Sequence, residues 1–309
     1  MPEQPKFYAG IVVHPEQATQ VERARTYLRM DPERLTGRLS GELVALQPLH
    51  VGSGALLPPE DLGLNAPDVP LVKAFARRGD LRTIPGSSLK GSFRSLVELF
   101  TPSCVCKTRS RQYRDCRYDS KRHIGELCPA CKMFGAMGYQ GQVRFEDAPQ
   151  QKGDNALHLI PPQYKPVGKD YRRYYPHALI DDRDERSWPL EVVTAGSRFV
   201  LSAQFINLME GELGLLLIAL GQGKWALCPK VGAGKSSGLG AVQIEGLGVE
   251  RWQIDRAYNV FESVDAWEPV DIGKCIQAAR PLYAPDVLDT LQRDLARAAI
   301  PGVRNAGND

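Results

Sequence analysis

One face of the segment 84–100, IPGSSLKGSFRSLVELF, carries apolar residues at helical spacing. These residues are Leu89, Phe93, Leu96 or Val97, and Phe100. The period predicts an amphipathic helix with this face in the core. Pro85 and Gly86 predict a turn ahead of the helix. Ser87 or Ser88 is expected to be the N-cap, because a serine hydroxyl accepts a hydrogen bond from a first-turn N–H.

Lys90 and Arg94 lie four residues apart and off the apolar face, so the predicted helix holds them side by side. The start of a helix combines N–H groups that lack intrahelical partners with a partial positive charge. Together with two cations and the hydroxyls of Ser87 and Ser88, it suits an anion such as phosphate. The alternative is an ordinary amphipathic helix with a solvated basic edge.

Alternating apolar positions bounded by glycine predict most of the remaining elements. Strands are predicted within the segments 40–54, 141–148, 191–208 and 229–246. A buried helix is predicted over 210–223 and an amphipathic one over 284–300. The order β, loop, α, β, then β, α, β is that of an α+β fold, namely a ferredoxin-like, RNA-recognition-type fold with a large insertion in its middle.

Composition and charge limit the class of protein. The 309 residues are 43% hydrophobic and 24% charged, which is typical of a soluble globular protein with one large domain or two modest ones. The net charge is only +3, so any site for a polyanion must come from local clustering of cations. The chain has no apolar run long enough to span a membrane and no signal-peptide pattern at its first residues, so we expect a cytoplasmic protein without a membrane partner.

Five of the seven cysteines crowd into one segment: Cys104, Cys106, Cys116, Cys128 and Cys131. In a reducing compartment this crowding favours a metal site over disulfides. The Cys128-Pro-Ala-Cys131 turn is typical of a knuckle that brings two thiolates to one Zn²⁺. Cys106 with Cys116, or Cys104 with Cys106, would complete the site, and His123 is a reserve ligand. We predict structural zinc; a redox Cys-x-x-Cys is the competing interpretation.

A second glycine-rich segment, VGAGKSSGLG (231–240), ends like a P-loop. Pro229 stands where that motif needs its first glycine, and a predicted strand follows where a helix must hold the phosphates. The sequence therefore excludes a P-loop nucleotide hydrolase. Gly234 still allows close approach of a ligand to the backbone, and Lys235 and Ser236 can then contact a phosphate. A plain hairpin loop is the alternative.

Together these motifs resemble the RAMP superfamily, the RNA-binding backbone subunits of type III CRISPR effector complexes. The resemblance depends on LHVGSG (49–54), IPGSSLKGSFR (84–94) and KVGAGKSSGLGAVQI (230–244), which occur in the family's order. CPACKMFG followed by GQVRFEDA is similar to a zinc-knuckle-to-strand passage of several members. The likeness covers about residues 40–246.

The resemblance implies a division of the chain into a core and extensions. Residues 38–246 would form a modified RNA-recognition fold with a zinc-knuckle insertion (101–135). A long β-hairpin, the thumb, would occupy 149–190. Residues 1–37 would be an N-terminal extension and 247–309 a C-terminal extension with a helix.

The resemblance also implies RNA contacts and partners. Guide-RNA phosphates would bind Ser87, Ser88, Lys90 and Arg94, and His50 would lie close by on the guide-facing loop. Three thumb cations beside tyrosines would track single-stranded RNA: Lys165, Arg172 and Arg173. The implied partners are guide RNA, target RNA, neighbouring RAMP subunits and the large subunit of the complex.

A loop aspartate is implied as a catalytic residue for cutting target RNA with Mg²⁺ or a similar divalent ion. DVPLVK (68–73) matches the family's run and indicates Asp68, whose carboxylate would hold the metal or position the 2′-hydroxyl. A solvated loop carboxylate is the alternative. Two other functions stay open, a stand-alone endoribonuclease that processes precursor CRISPR RNA and an unrelated zinc-stabilised RNA-binding module.

Overall fold

The computed structural model describes residues 8–12, 22–23, 30–104, 116–119, 121–122, 124–162, 171–177, 187–253 and 266–301. Of the predicted site residues, Lys165 and Cys106 lie outside these ranges, as does the reserve ligand His123.

The described ranges contain five α-helices: α1 Gly86–Phe100, α2 Pro129–Phe134, α3 Glu210–Ala219, α4 Ile272–Ala278 and α5 Pro285–Leu295. The strands of the first half are β1 Ala9–Val12, β2 Glu22–Arg23, β3 Leu35–Ala45, β4 Gly52–Leu57, β5 Val72–Phe75, β6 Arg77–Arg78, β7 Leu81–Ile84, β8 Arg117–Asp119 and β9 Ile124–Leu127. Those of the second half are β10 Val143–Phe145, β11 Ala148–Lys152, β12 Asn155–Ile160, β13 Tyr171–Tyr174, β14 Trp188–Val193, β15 Arg198–Leu208, β16 Val242–Trp252 and β17 Trp267–Pro269. Among these helices none is long and apolar enough to cross a membrane.

The largest sheet has the order β17-β16-β3-β15-β11-β7-β6, with β10 also paired to β15. Its ladders are antiparallel. Taken along the chain, β3, α1, β10–β11, β15, α3 and β16 give the β-α-β-β-α-β order of the ferredoxin-like fold. The fourth strand lies beside the first and the third between the first and second. The predicted α+β, ferredoxin-like class is confirmed.

Helix α1 buries the predicted face. Leu89, Phe93 and Phe100 have no exposed surface and pack in the main core. The predicted serine cap is wrong, because the helix begins at Gly86 with Pro85 at its N-cap and no side-chain cap. The Asp147 carboxylate, from the strand-to-strand turn beneath, accepts the Gly86 N–H at 2.9 Å instead.

The segment predicted to be the thumb contributes to a second sheet of order β12-β14-β5-β4. β12 and β14 pair antiparallel from Asn155 opposite Val193 to Ile160 opposite Trp188. β13, which lies between them in the chain, pairs with β1 instead. The two ends of the predicted hairpin therefore lie side by side, and β5 and β4 continue the same sheet.

Helices near the C-terminus complete the core. α3 is apolar on every side, with Leu213 and Leu217 fully buried, and α4 lies against it. A Cβ added to Gly214 would lie 2.0 Å from the Cys275 carbonyl oxygen, so the two backbones touch. The predicted amphipathic helix is α5, whose Leu288 and Leu291 are buried in the same core.

Candidate metal centre and RNA interface

Four cysteine sulfurs meet beside the start of α2. The Sγ atoms of Cys104, Cys116, Cys128 and Cys131 all lie within 4.8 Å of one another. Cys104 Sγ is 3.5 Å from Cys131 Sγ and 3.7 Å from Cys128 Sγ. Both predicted upstream pairings include Cys106, which lies outside the described residues. Within the described ranges, Cys104 and Cys116 complete the group. Cys116, Cys128 and Cys131 are free thiols, whereas Cys104 takes part in a disulfide. With all four sulfurs reduced, they are a donor set that Zn²⁺ favours.

The Cys-Pro-Ala-Cys turn holds its sulfurs by local backbone geometry. Cys128 is extended at the N-cap of α2, and its Sγ accepts the Cys131 N–H at 3.5 Å. The Cys128 N–H in turn donates to Cys116 Sγ at 3.1 Å. Hydrogen bonds from the Cys116 and Cys131 thiols lower the pKa of Cys128 to about 2, and the same crowding raises the pKa of Cys131. Neighbouring thiolates repel one another, so full ionisation of the group needs a cation among them.

Arg94 is directed at the cysteine cluster. Its Nη1 donates to the Gly135 carbonyl at 2.7 Å and its Nη2 to Cys131 Sγ at 3.4 Å. Its Nε donates to Glu98 Oε1 at 2.7 Å. The sequence predicted that Arg94 would share a phosphate with Lys90, but the structure uses each nitrogen of its guanidinium inside the protein.

A buried ion pair connects the knuckle to α3. Lys132 Nζ lies 2.5 Å from Glu212 Oε1, and the two side chains are 2% and 3% exposed. Glu212 also accepts the Met209 N–H at 2.8 Å at the start of α3. No local sequence pattern indicated this ion pair, because the two residues belong to different motifs.

Lys90, unlike Arg94, is not bound within the described part of the protein. Burial lowers the pKa of Lys90, and the positive charges of Arg94 and Arg144 lower it further. Among the described residues, Lys90 has neither a hydrogen-bonding nor an ion-pairing partner. Ser87 is exposed and Ser88 half-buried on the same first turn. A half-buried ammonium without a counter-charge is suited to a phosphate.

The glycine-rich loop reaches α1 through Lys235. Lys235 Nζ lies 3.4 Å from Ser92 Oγ on α1, and Lys230 Nζ donates to the Lys235 carbonyl at 3.1 Å. Burial lowers the pKa of Lys235 to about 8; burial and the charge of Lys235 lower that of Lys230 to about 7. Gly234, at φ 68°, precedes a single 3₁₀ turn containing Ser236, and strand β16 follows as predicted. The two motifs therefore meet, and Ser92 and Lys230 are members that sequence reasoning missed.

His50 lies beneath this loop and not on its surface. Its side chain is 2% exposed, and its Nδ1 is 2.6 Å from the Glu191 carbonyl oxygen. Burial lowers its pKa. Its own carbonyl accepts the Ala233 N–H at 2.8 Å, and a Cβ on Gly232 would lie 2.1 Å from that oxygen. The imidazole therefore supports the loop from the core, and the position of His50 close to guide RNA stays a prediction.

Glu191, on β14, is a fully buried carboxylate that joins the two sheets. Arg77 donates to both of its oxygens at 2.6 and 2.8 Å, and Arg82 to one at 2.9 Å. The Phe75 N–H and Asn155 Nδ2 donate as well. Burial raises its pKa, but these hydrogen bonds outweigh burial and leave the pKa lowered. A single glutamate in the apolar strand WPLEVV was the only signal for this network.

Asp68 lies in an exposed turn before β5, where the Val69 N–H donates to the Ala66 carbonyl at 3.1 Å. No group of three potential metal ligands within the described ranges includes it. The structure thus leaves Asp68 accessible without assembling a metal site around it.

The two predicted thumb arginines in the described part of the chain already have protein contacts. Arg172 donates to the Thr101 carbonyl at 3.3 Å and to the Ser103 carbonyl. The Arg173 guanidinium lies 5.4 Å from the centre of the Tyr8 ring. Arg172 therefore joins β13 to the chain leading into Cys104.

Similarity to known proteins indicates the family of this chain. A search of curated proteins found no match. Among solved structures, a chain in the "Cryo-EM structure of the Type III-B Cmr-beta bound to cognate target RNA" is similar, with 16% identity and a TM-score of 0.41. The match covers 70% of this chain and 61% of that chain. A family model described as "RAMP superfamily" matches residues 42–243, well over half of the sequence. The chain belongs to the RAMP superfamily.

Proposed function

We propose that this protein is a guide-RNA-binding backbone subunit of a type III CRISPR effector complex, where the guide pairs with target RNA. One observation carries the proposal: the glycine-rich loop and the PGSSLKGSFR helix meet at Lys235 and Ser92, 3.4 Å apart. Ser92 follows two residues after Lys90, which has no partner among the described residues. Two family motifs that are about 140 residues apart thus meet in the fold, and the meeting brings Lys235 to the helix that carries Lys90. Family membership supports the assignment of this surface to RNA.

The contact to RNA would come from side chains more than from the helix dipole. Two first-turn N–H groups already have acceptors, since Gly86 donates to Asp147 and Ser88 to the Pro85 carbonyl. Lys90 and Lys235 supply charge, and the exposed Ser87 supplies a hydroxyl donor. Phosphate contacts of this kind position a strand without reading its sequence, as a guide of variable sequence requires.

We assign a structural zinc ion to Cys104, Cys116, Cys128 and Cys131. Four sulfurs complete a tetrahedral shell, so the ion would fix the fold of the knuckle and leave no position for a substrate. A cation among the sulfurs would stabilise the thiolates of Cys116 and Cys131, whose pKa values are raised by their sulfur neighbours. Element analysis of the purified protein is expected to give one zinc per chain; no metal, together with an oxidised pair that includes Cys104, would favour the redox interpretation.

Target cleavage by Asp68 is part of the proposal and depends on the family resemblance. The exposed carboxylate is free to meet a bound strand and a Mg²⁺ ion that arrives with it. The competing function, a stand-alone processing endoribonuclease, usually requires a catalytic histidine. The burial of His50 counts against it.

The test is to express the protein with its neighbouring genes, purify the assembly and sequence the RNA that remains bound. Short RNAs that share a repeat-derived end and differ in their spacers are the expected result. Heterogeneous cellular RNA, or none, would overturn the CRISPR assignment and favour a zinc-stabilised RNA-binding module.

A further inference from the structure

We infer that Arg94 is a positioning residue of the metal centre and not an RNA contact, although it stands in the RNA-binding motif. The inference rests on the proposed zinc site and on the proposed role of Lys90. The two residues, one helical turn apart, then have different roles: Lys90 contacts RNA, and Arg94 contacts the knuckle.

The hydrogen bonds of Arg94 connect α1 to the knuckle. Its Nη2 reaches Cys131 Sγ at 3.4 Å, and its Nη1 reaches the carbonyl of Gly135, the residue that ends α2, at 2.7 Å. Glu98, one turn later on α1, holds the guanidinium at 2.7 Å and leaves it 15% exposed. Arg94 thus donates hydrogen bonds both to a ligand sulfur and to the end of the helix that carries this ligand.

Such a donor acts on a metal in two ways. A hydrogen bond to a thiolate stabilises negative charge on the sulfur and changes the energy of electron transfer from sulfur to metal. The fixed geometry also orients the ligand before the ion binds. Groups that orient metal ligands typically change metal affinity by about 10- to 100-fold when removed.

Lys90 offers the matched control. It lies one turn from Arg94 on the same helix, is half-buried, and has no partner among the described residues. Replacing each residue by glutamine removes one positive charge from the same surface. The two variants therefore differ mainly in what the lost side chain was touching.

The first measurement uses the full-length chain loaded with Co²⁺, whose thiolate-to-metal absorption reports on the sulfurs. Arg94→Gln is expected to shift this band and to speed the loss of Co²⁺ to a chelator about tenfold. Lys90→Gln is expected to change neither. Glu98→Gln, which touches no sulfur, is expected to give a smaller change of the same sign, and it keeps the test open if Arg94→Gln fails to fold.

The second measurement is the salt dependence of binding to a single-stranded RNA. Loss of one phosphate contact lowers the slope of log affinity against log salt by about 0.7. We expect this change for Lys90→Gln and an unchanged slope for metal-loaded Arg94→Gln. A lowered slope for Arg94→Gln, or an unaltered cobalt band, would overturn the inference. A wild-type chain that binds no Co²⁺ would instead refute the metal assignment itself, and a wild-type chain that binds Co²⁺ but no RNA would refute the RNA role alone.

Discussion

The ferredoxin-like sheet is held by apolar contact, whereas the segments inserted into it combine apolar contact with buried ion pairs. β3, β15 and the helices α1 and α3 are joined by apolar contact, with Leu43, Phe199 and Leu216 fully buried among them. The inserted knuckle and the second sheet also reach this core, through residues such as Met133 and Phe75, and they add the buried ion pairs Lys132–Glu212 and Arg77–Glu191. Apolar burial is non-directional, whereas an ion pair with several hydrogen bonds fixes one orientation. The ion pairs therefore add a fixed orientation to the apolar attachment of the inserted segments, which carry the candidate chemistry.

The largest effect on function without an effect on the core is expected for a substitution of Asp68. Asp68→Ala should abolish one cut in the target RNA of the assembled complex, since it removes the proposed metal-binding carboxylate. The Asp68 side chain is exposed, so RNA binding and thermal stability should be unchanged. Cleavage products are measured on gels with guide-loaded complex and Mg²⁺. An unchanged cleavage ladder contradicts the assignment; Glu60→Ala, in the same loop, is the control.

A substitution of Glu191 measures how much its buried ion pairs contribute to the attachment of the second sheet. Glu191→Ala leaves Arg77 and Arg82 without their buried acceptor, and we expect a loss of about 3–5 kcal/mol in the free energy of unfolding. The exposed pair Arg38–Glu250 has a similar N–O distance of 2.7 Å, yet Glu250→Ala should cost less than about 1 kcal/mol. Denaturant titration measures both. Equal effects would show that burial of the pair is irrelevant.

The same carboxylate predicts a pH dependence with a defined sign. Its pKa is lowered in the folded chain from the ordinary value of 4.5. Its contribution to stability is therefore complete above that value and is lost as the pH falls through the folded-state pKa. Glu191→Gln should have a shallower decline of stability in acid than the wild type, measured by unfolding at a series of pH values; an identical decline would contradict this prediction.

The sequence predicted the part of the fold that periodicity reports. The buried face of α1, the order of sheet elements and the cysteine cluster were accessible because each depends on local spacing. The direction of Arg94, the burial of His50 and the network of Glu191 were not, because their long-range partners lie 36 to 141 residues away. Helical spacing places Lys90 and Arg94 on one edge of the helix. Only the packing of the knuckle against this helix shows that Arg94 is bound within the protein.

The ion pair between knuckle and α3 can be examined by a double-mutant cycle. Lys132→Met leaves the Glu212 carboxylate buried without its closest cation, and a loss of about 3 kcal/mol is expected. Lys132→Met with Glu212→Gln removes both charges and keeps an acceptor for the Met209 N–H. This double variant should recover to within about 1 kcal/mol of the wild type. Additive losses in denaturant titration would mean that the two residues do not act as a pair.

The smallest expected effect is a pH dependence of RNA binding at Lys235. Its pKa is lowered to about 8 by burial, so the side chain loses its positive charge as the pH rises through that value. A phosphate beside Ser92 binds the protonated form better, and affinity for single-stranded RNA should fall several-fold between about pH 7 and pH 9. Lys235→Arg keeps its charge throughout this range and should flatten the profile. If the wild type and Lys235→Arg decline equally with pH, the loop lysine does not contact RNA, and the basic surface is restricted to the α1 side of the junction.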